Sequence, residues 1–373
     1  MLFLFVLLLS LTGMLKAQVT TAGMSGKVMA DEESVIGATV VAVHEPSGTS
    51  YGTVTNVDGR FSLQGMRSGG PYKVTVSYIG YQTAIYTDIQ LQLGETYSLN
   101  VTLHEASELL GEITITASKS KFSAEKTGAT TNISSEQLTT LPSINRSISD
   151  FTRISPYASG NSFGGRDGRS NTFTVDGANL NNNFGLSSGL PGGGNPISLD
   201  AIDEVQVVIA PYDVRQANFI GAGINAITKS GTNAYRGSAY MYFNNEVMRG
   251  NKIGDTDFGV RAEESKTVYG ATFGGPIIKE KLFFFANVEY EKSPQQVITW
   301  RAAKEGETPN NSTISRTTEA DLAEFSQILK DKYGYNTGSF TDFPADITNL
   351  KLLGRIDWNI NQGNKLSVRY NFT

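Results

Sequence analysis

From Gly23 onward the chain is built of short runs whose apolar residues recur at every second position, the spacing of a strand that buries one face. In Tyr72–Tyr78 the apolar side chains fall at 72, 74, 76 and 78, and in Tyr97–Leu103 at 97, 99, 101 and 103. Turn residues separate such runs: Pro46-Ser-Gly48, Asp58-Gly59 and Ser68-Gly-Gly-Pro71. About seven strands between Gly23 and Glu105 predict a two-sheet sandwich. After it, Leu110–Ala117 is a short β-prone run in polar, Lys- and Ser-rich surroundings. It can be an edge strand of the sandwich, or stay free and add itself to a partner's sheet by β-augmentation.

The pattern then changes. Ser134-Ser-Glu-Gln-Leu138 carries a capping signal, with Ser134 three residues before Gln137, and Pro142 ends that helix. A second short helix is expected within Ile144–Ile154. Gly164–Ser170 is turn-rich and leads to a strand ending at Asp176-Gly177. A Gly/Asn/Ser loop fills Asn179–Pro196. Ile202–Ile209 reads as a strand, and Gly221–Lys229 follows it.

Five alternating runs close the chain. Leu350, Leu352, Ile356, Trp358 and Ile360 share one face, with Lys351, Arg355, Asp357 and Asn359 on the other. Leu366, Val368, Tyr370 and Phe372 oppose Lys365, Ser367, Arg369 and Asn371. Leu282, Phe284, Ala286, Val288 and Tyr290 oppose Asn287, Glu289 and Glu291, with Phe283 and Phe285 blurring the near end. Gly237–Asn244 and Thr267–Gly275 alternate more weakly. Such charged faces suit a solvated sheet or the wet lumen of a barrel. Connection lengths favour the lumen. Tight connections at Pro276–Lys281 and Asn361–Asn364 alternate with long polar loops, the habit of outer-membrane barrels. The longer loop holds a helical segment, Thr318–Tyr333, with Leu322, Phe325, Ile328 and Leu329 on one face.

Composition narrows the chemistry. The 373 residues include no Cys and only two His, His44 and His104, which excludes thiolate chemistry and disulfides and leaves little room for histidine-based metal or triad sites. No metal, cofactor or catalytic constellation is expected. Lys+Arg is 31 against 36 Asp+Glu, a net charge of −5 without a basic block, so nucleic acid is not an expected partner. Met1–Leu15 is an apolar run followed by Lys16-Ala17, which reads as a secretory signal peptide over residues 1–17. Beyond it no apolar run is long enough for a membrane helix, a test blind to β-barrels.

Several motif matches fail on context. Ser118-x-x-Lys121 and Lys126-Thr-Gly128 mimic β-lactamase elements but lie too close together. Gly221-x-Gly223-x-x-Ala226 mimics a dinucleotide fingerprint, yet no helix face follows. Asp58-Gly59 lacks the remaining acidic ligands of a calcium loop. Asp203, Glu204 and Asp213 have no defined acid/base partner and read as solvated polar positions.

Two stretches carry a family resemblance. Gly26-Lys-Val28, Ile36–Val41, Thr55–Leu63 and Val76-Ser-Tyr-Ile-Gly-Tyr81 together resemble the carboxypeptidase-regulatory-like, transthyretin-like domain, a non-catalytic domain often placed at the front of outer-membrane transporters. The Arg-containing glycine turn, Val175-Asp-Gly177, Ile202–Ile209 and Gly221–Lys229 resemble, in order, the plug of TonB-dependent receptors. Pro211–Arg215 and Thr228–Gly237 look most like the Oar-like branch, beside the SusC/RagA-like one. The resemblance implies a mainly β chain: signal peptide 1–17, transthyretin-like β-sandwich 23–105, linker with TonB box 106–126, α+β plug 127–232, and the first strands of a transmembrane β-barrel over 235–373. It implies docking of TonB at Glu112, Ile113, Thr114, Ile115 and Thr116, with TonB driven by ExbB and ExbD. It implies outer-membrane lipid around the strands, the sandwich and plug on the periplasmic side, and an extracellular substrate such as a siderophore, glycan or peptide, with room for a surface lipoprotein partner. Arg166, Arg169 and Asp176 fall to plug structure rather than chemistry, and the protein is not expected to be an enzyme. A plugged receptor barrel has about 22 strands, so five strands read as the N-terminal part of a longer receptor. The competing reading is a secreted or surface β-sandwich protein that binds carbohydrate or protein without transport, in which residues 235–373 close as a soluble domain.

Overall fold

The computed structural model of the chain describes residues 19–373 apart from 31, 106–112, 117–128, 144–145, 182–189, 191–194, 212, 214–215, 218, 258–263, 297–299, 311–312, 341–343 and 362. The expected signal peptide and the β-lactamase-like matches lie outside the described residues. Two compact units are present, one comprising the chain to Ser238 with Thr272–Val288 and Lys351–Thr373, the other Ala239–Ala271 with Glu289–Leu350.

The first unit opens with the sandwich. Its strands are β1 (Ala22–Ala30), β2 (Glu33–Ser34), β3 (Thr39–His44), β4 (Thr49–Val54), β5 (Arg60–Met66), β6 (Gly69–Ser77), β7 (Ala84–Leu91), β8 (Thr96–Ser98) and β9 (Val101–Leu103). A further strand, β10 (Ile113–Thr116), follows them. One sheet has the order β2-β1-β5, with β8 and β9 pairing in parallel with β1; the other has the order β10-β7-β6-β3-β4. The alternation works as written: Tyr72, Val74 and Val76 are buried, and so are Leu99, Val101 and Leu103, while Tyr78 is exposed at the strand's end. One strand beyond the seven expected arises because the last run is split at Leu99–Asn100, where the Leu99 N–H donates to the Ser25 carbonyl at 2.8 Å, and the two-residue β2 is a further one. Gly26 permits this approach, since a Cβ there would lie 1.8 Å from the Leu99 carbonyl oxygen. Asp58-Gly59 is a turn organised by Asn56, whose side-chain oxygen accepts from the Asp58 and Arg60 amides at 3.0 and 2.8 Å.

A mixed five-stranded sheet follows, built from β11 (Ala129–Ser134), β14 (Thr172–Val175), β15 (Ala178–Asn179), β16 (Ile202–Ala210) and β17 (Gly223–Thr228), with the small hairpin β12 (Ala158–Ser159) and β13 (Ser162–Phe163) beside it. Its order is β11-β16-β17-β14-β15. Helix α1 (Ser135–Thr140) begins at a full capping box, with the Ser134 amide donating to Gln137 Oε1 at 3.0 Å and the Gln137 amide to Ser134 Oγ. Helix α2 (Ile148–Thr152) occupies part of the expected 144–154 segment. Ile133, Phe151, Phe163, Phe173, Val205, Val207 and Ala226 form its core. Gly221–Ala226 enters strand β17 rather than a helix, so no dinucleotide turn exists there.

The last sheet has the order β18 (Arg236–Asn245), β21 (Ser265–Ile278), β22 (Leu282–Gln296), β25 (Pro344–Asn359) and β26 (Lys365–Phe372). The short elements β19 (Lys252–Ile253) and β20 (Thr256–Asp257) lie between the first two of these, and β23 (Arg301–Ala303), β24 (Ile314–Thr318) and α3 (Glu319–Tyr333) between β22 and β25. The polarity of these strands is inverted relative to the sandwich. Leu352, Ile356, Trp358, Val368 and Tyr370 are exposed, whereas Lys351 and Asp357 are 2% exposed and Asn287 is 5%. Apolar outside and polar inside is the pattern of strands whose outer solvent is lipid.

In the second unit α3 is capped by Thr318, whose hydroxyl accepts from the Asp321 amide at 3.1 Å, and ends at Gly334 in the left-handed conformation. Arg301 grips Glu307 through two N–H···O contacts of 2.6 and 2.8 Å, holding that carboxyl down at about 2. Within the same unit Tyr240 donates its hydroxyl to Glu289 at 2.9 Å, and Lys266 pairs with Glu291 at 2.7 Å.

Candidate functional site

Of the docking residues read from the sequence, Glu112 lies outside the described residues. Ile113, Thr114, Ile115 and Thr116 form β10, paired in parallel with β7 in the register Ile113↔Ala84, Thr114↔Ile85, Ile115↔Tyr86 and Thr116↔Thr87. β10 ends the sheet order, so it is an edge strand of the sandwich.

Arg166 and Arg169 sit in the glycine turn. Arg169 pairs with Asp167 at 2.9 Å, both well exposed, and the Arg166 carbonyl accepts from the Ser162 hydroxyl. These contacts shape the turn locally. Asp176 is different. It follows β14 with φ +42°, a conformation Asp tolerates better than most residues. Its carboxylate accepts from the Thr228 amide at 2.8 Å and the Thr228 hydroxyl at 2.6 Å, tying β14 to the end of β17. The same carboxylate pairs with Arg369 on β26 and lies 3.7 Å from Arg355 on β25. Arg355 also donates to the Thr228 carbonyl at 2.6 Å and forks onto Asp357 at 2.9 Å. Asp357 accepts from Ser367 Oγ at 2.6 Å and lies 3.8 Å from Arg67 of the sandwich, which in turn donates to Ser230 Oγ at 3.1 Å. Thus the polar face of the last strands, the mixed sheet and the sandwich meet at one alternating run of charges. It borders a cavity of ≈ 1980 Å³ walled by Arg67, Asp176, Asp203, Asp357 and Arg369 among others.

The tight turns of the last strands lie at the sandwich. The Glu280 amide donates to Asn233 Oδ1 at 2.8 Å, and the Asn233 amide donates to the Pro46 carbonyl at 2.8 Å. Asn359 Nδ2 donates to Thr49 Oγ1 at 3.0 Å. Lys365 Nζ sits 3.3 Å from the centroid of the Tyr51 ring. Beneath this contact His44 Nδ1 and Ser47 Oγ are 2.7 Å apart, and Ser47 Oγ also bonds Thr49 Oγ1. Burial, with Arg67 and Lys365 nearby, lowers His44 to about 4. The imidazole is therefore neutral at physiological pH and frames a turn.

Glu204 corrects the sequence reading of a solvated carboxylate. It is 6% exposed, because a sandwich loop distant in sequence covers that face of β16. Both its carboxyl oxygens face the Leu93 amide at 3.0 and 3.1 Å, while Gln206, two residues on and so on the same face, donates from Nε2 to the Leu93 carbonyl at 2.5 Å. The two side chains thus hold one residue of the sandwich by both its main-chain polar atoms, the N–H and the C=O of Leu93. Burial, and then the neighbouring Asp203 and Glu95 charges, push Glu204 up to about 8, against the opposing effect of the Leu93 and Ser68 hydrogen bonds. Asp203 is raised by burial, opposed by Lys229, Arg355 and Arg67. The only signal of this in the sequence is that Ile202–Ile209 carries apolar residues on both faces, the mark of a strand covered on both sides.

Comparison with known proteins gives two family matches: the carboxypeptidase regulatory-like domain over residues 23–104 and the outer membrane beta barrel domain over 227–373. The TonB-dependent transporter Oar of Myxococcus xanthus is 24% identical over 340 residues, covering 86% of this chain and 30% of the relative, so the chain spans less than a third of that protein's length. Among solved structures, the siderophore receptor PirA from Acinetobacter baumannii is similar with a TM-score of 0.43, 18% identity, and coverage of 65% of this chain and 31% of that one. The outer membrane transporter YddB from Escherichia coli is similar with a TM-score of 0.40, 15% identity, and coverage of 65% and 33%. These relatives are transporters and receptors, not enzymes. The chain joins a carboxypeptidase regulatory-like domain to an outer membrane beta barrel domain, is homologous to the TonB-dependent transporter Oar, and is an outer-membrane protein.

Proposed function

We propose that this chain forms the periplasmic and inner portion of a TonB-dependent outer-membrane transporter. Residues 23–105 are its N-terminal domain, 106–126 a linker with the TonB box at Glu112–Thr116, 127–232 the plug, and 235–373 barrel strands. TonB, energised through ExbB and ExbD, pulls the linker and remodels the plug so that a large substrate (a siderophore, glycan or peptide) passes.

The observation that carries the reading is the bond between Asp176 and the polar strand face. A mixed sheet that precedes the strands in sequence is anchored to their inward charges, Arg355 and Arg369. That is the relation of a plug to a barrel wall. It also disfavours the binding-protein alternative, whose soluble C-terminal domain would not leave Ile356, Trp358, Val368 and Tyr370 facing outward together.

The test is deletion of Leu110–Ala117 from the full-length protein in outer membranes. The deleted protein is expected to insert normally and to lose capture by the periplasmic domain of TonB. Undiminished capture with normal insertion would reject Glu112–Thr116 as the docking segment.

A further inference from the structure

The segment assigned to TonB already has a backbone partner. Ile113–Thr116 lies in parallel register along β7, which without it would be the free edge of the sheet β7-β6-β3-β4. Docking by β-augmentation uses the same currency, main-chain hydrogen bonds along an extended peptide. Force supplies a second reason why the two states conflict. Twelve residues, 117–128, separate β10 from β11 at the head of the mixed sheet. A pull on Ile113–Thr116 while it is bonded to β7 is shared between that pairing and the chain leading to Ala129, so the pairing diverts load into the sandwich.

We propose that the sandwich is a sheath for the docking segment: the β7 edge and TonB compete for Ile113–Thr116, and release from β7 must precede productive docking. This rests on the docking role proposed above for that segment. The sandwich thereby sets the fraction of receptors open to TonB, and apparent affinity scales with that fraction.

The 373 residues include no Cys, so an introduced pair has no competing thiol within them. Thr87 and Thr116 are register partners. In the full-length protein in outer membranes, a Thr87→Cys/Thr116→Cys pair is expected to form a disulfide under mild oxidation. An offset pair, Thr87→Cys/Ile113→Cys, separated along the strand by three residues, is expected to form far less. The oxidised in-register protein should capture the TonB periplasmic domain more than about tenfold less than the same protein after reduction, a ratio in which any effect of the Thr116→Cys substitution itself cancels. Three results would overturn the sheath while leaving the docking role standing: no in-register disulfide, equal cross-linking of both pairs, or equal TonB capture in oxidised and reduced protein. Failure of the unmodified protein itself to capture TonB would instead remove the docking role, and the sheath with it. Capture by the protein carrying Thr87→Cys alone, which forms no bridge, checks that the substitution leaves the fold intact.

Discussion

Glu204 makes the stability of the junction between sandwich and mixed sheet depend on pH, with a sign opposite to that of an ordinary surface carboxylate. In the folded protein its pKa is raised from 4.5 to about 8, desolvation being the largest cause. In the unfolded chain it titrates near its ordinary value, ~4.3. Between these values the folded state holds a proton that the unfolded state has released, so stability falls as pH rises. The contribution is fully present below about pH 4.5, declines by about 1.4 kcal/mol per pH unit, and is lost above about pH 8. The whole span is on the order of 4–5 kcal/mol. Glu204→Gln removes the titration but keeps an oxygen able to accept from the Leu93 amide, now 3.0 Å away.

The assay is hydrogen exchange at the Leu93 amide in the detergent-solubilised protein, corrected for the intrinsic pH dependence of exchange. Wild-type protection should fall by roughly two to three orders of magnitude between pH 5.5 and 8.5, since ~1.4 kcal/mol is a factor of ten. The glutamine variant should be nearly flat, matching wild type at low pH and exceeding it at high pH. A flat wild-type profile, or a variant that follows wild type across the range, would refute the assignment of a buried, protonated Glu204.

Asp176→Ala removes the counter-charge of Arg369 and Arg355 and two hydrogen bonds to Thr228, and should cost about 2–4 kcal/mol in urea titrations followed by tryptophan fluorescence. Asp176→Asn keeps an oxygen for Thr228 and tolerates the left-handed backbone, so it should cost about half as much; equal losses for the two variants would mean that charge dominates. Ile356→Arg places a charge on the exposed apolar face of β25, where about 2–4 kcal/mol is expected near the membrane midplane, read as reduced insertion into lipid vesicles. Full insertion would show that this face does not meet hydrocarbon.

The sandwich was legible because each of its strands buries one face against a close neighbour in sequence, so alternation names the inside directly: Tyr72, Val74 and Val76 could point only one way. Helix α1 was legible for a similar reason, its capping box being complete within four residues. Glu204 was not, because its cover comes from Leu93, 111 positions away, and no local pattern reports what a distant loop will lie upon. β10 shows the same limit from the other side. Its residues specify an extended backbone, but hydrogen bonds along a strand are blind to side chains, and so the partner, β7 or another protein, is not written in them.

The last strands pose the sharper problem. A period of two divides Leu352, Ile356 and Trp358 from Lys351, Arg355 and Asp357 without saying which set is inside, and in water the apolar set would be buried by default. The charges decide it. A half-buried arginine is steadied by a counter-charge within reach, and Arg369 finds its own in Asp176, at a strand end far earlier in the chain, while Arg355 lies between Asp176 and its nearer partner Asp357. Once that acid is fixed by Thr228 on the mixed sheet, turning the strands over would part Arg369 from Asp176 and leave the acid unpaired within, while Arg355 would carry Asp357 with it. The network therefore does more than join the two layers: it selects the inverted orientation of the strands over the one that hydrophobic burial in water would favour.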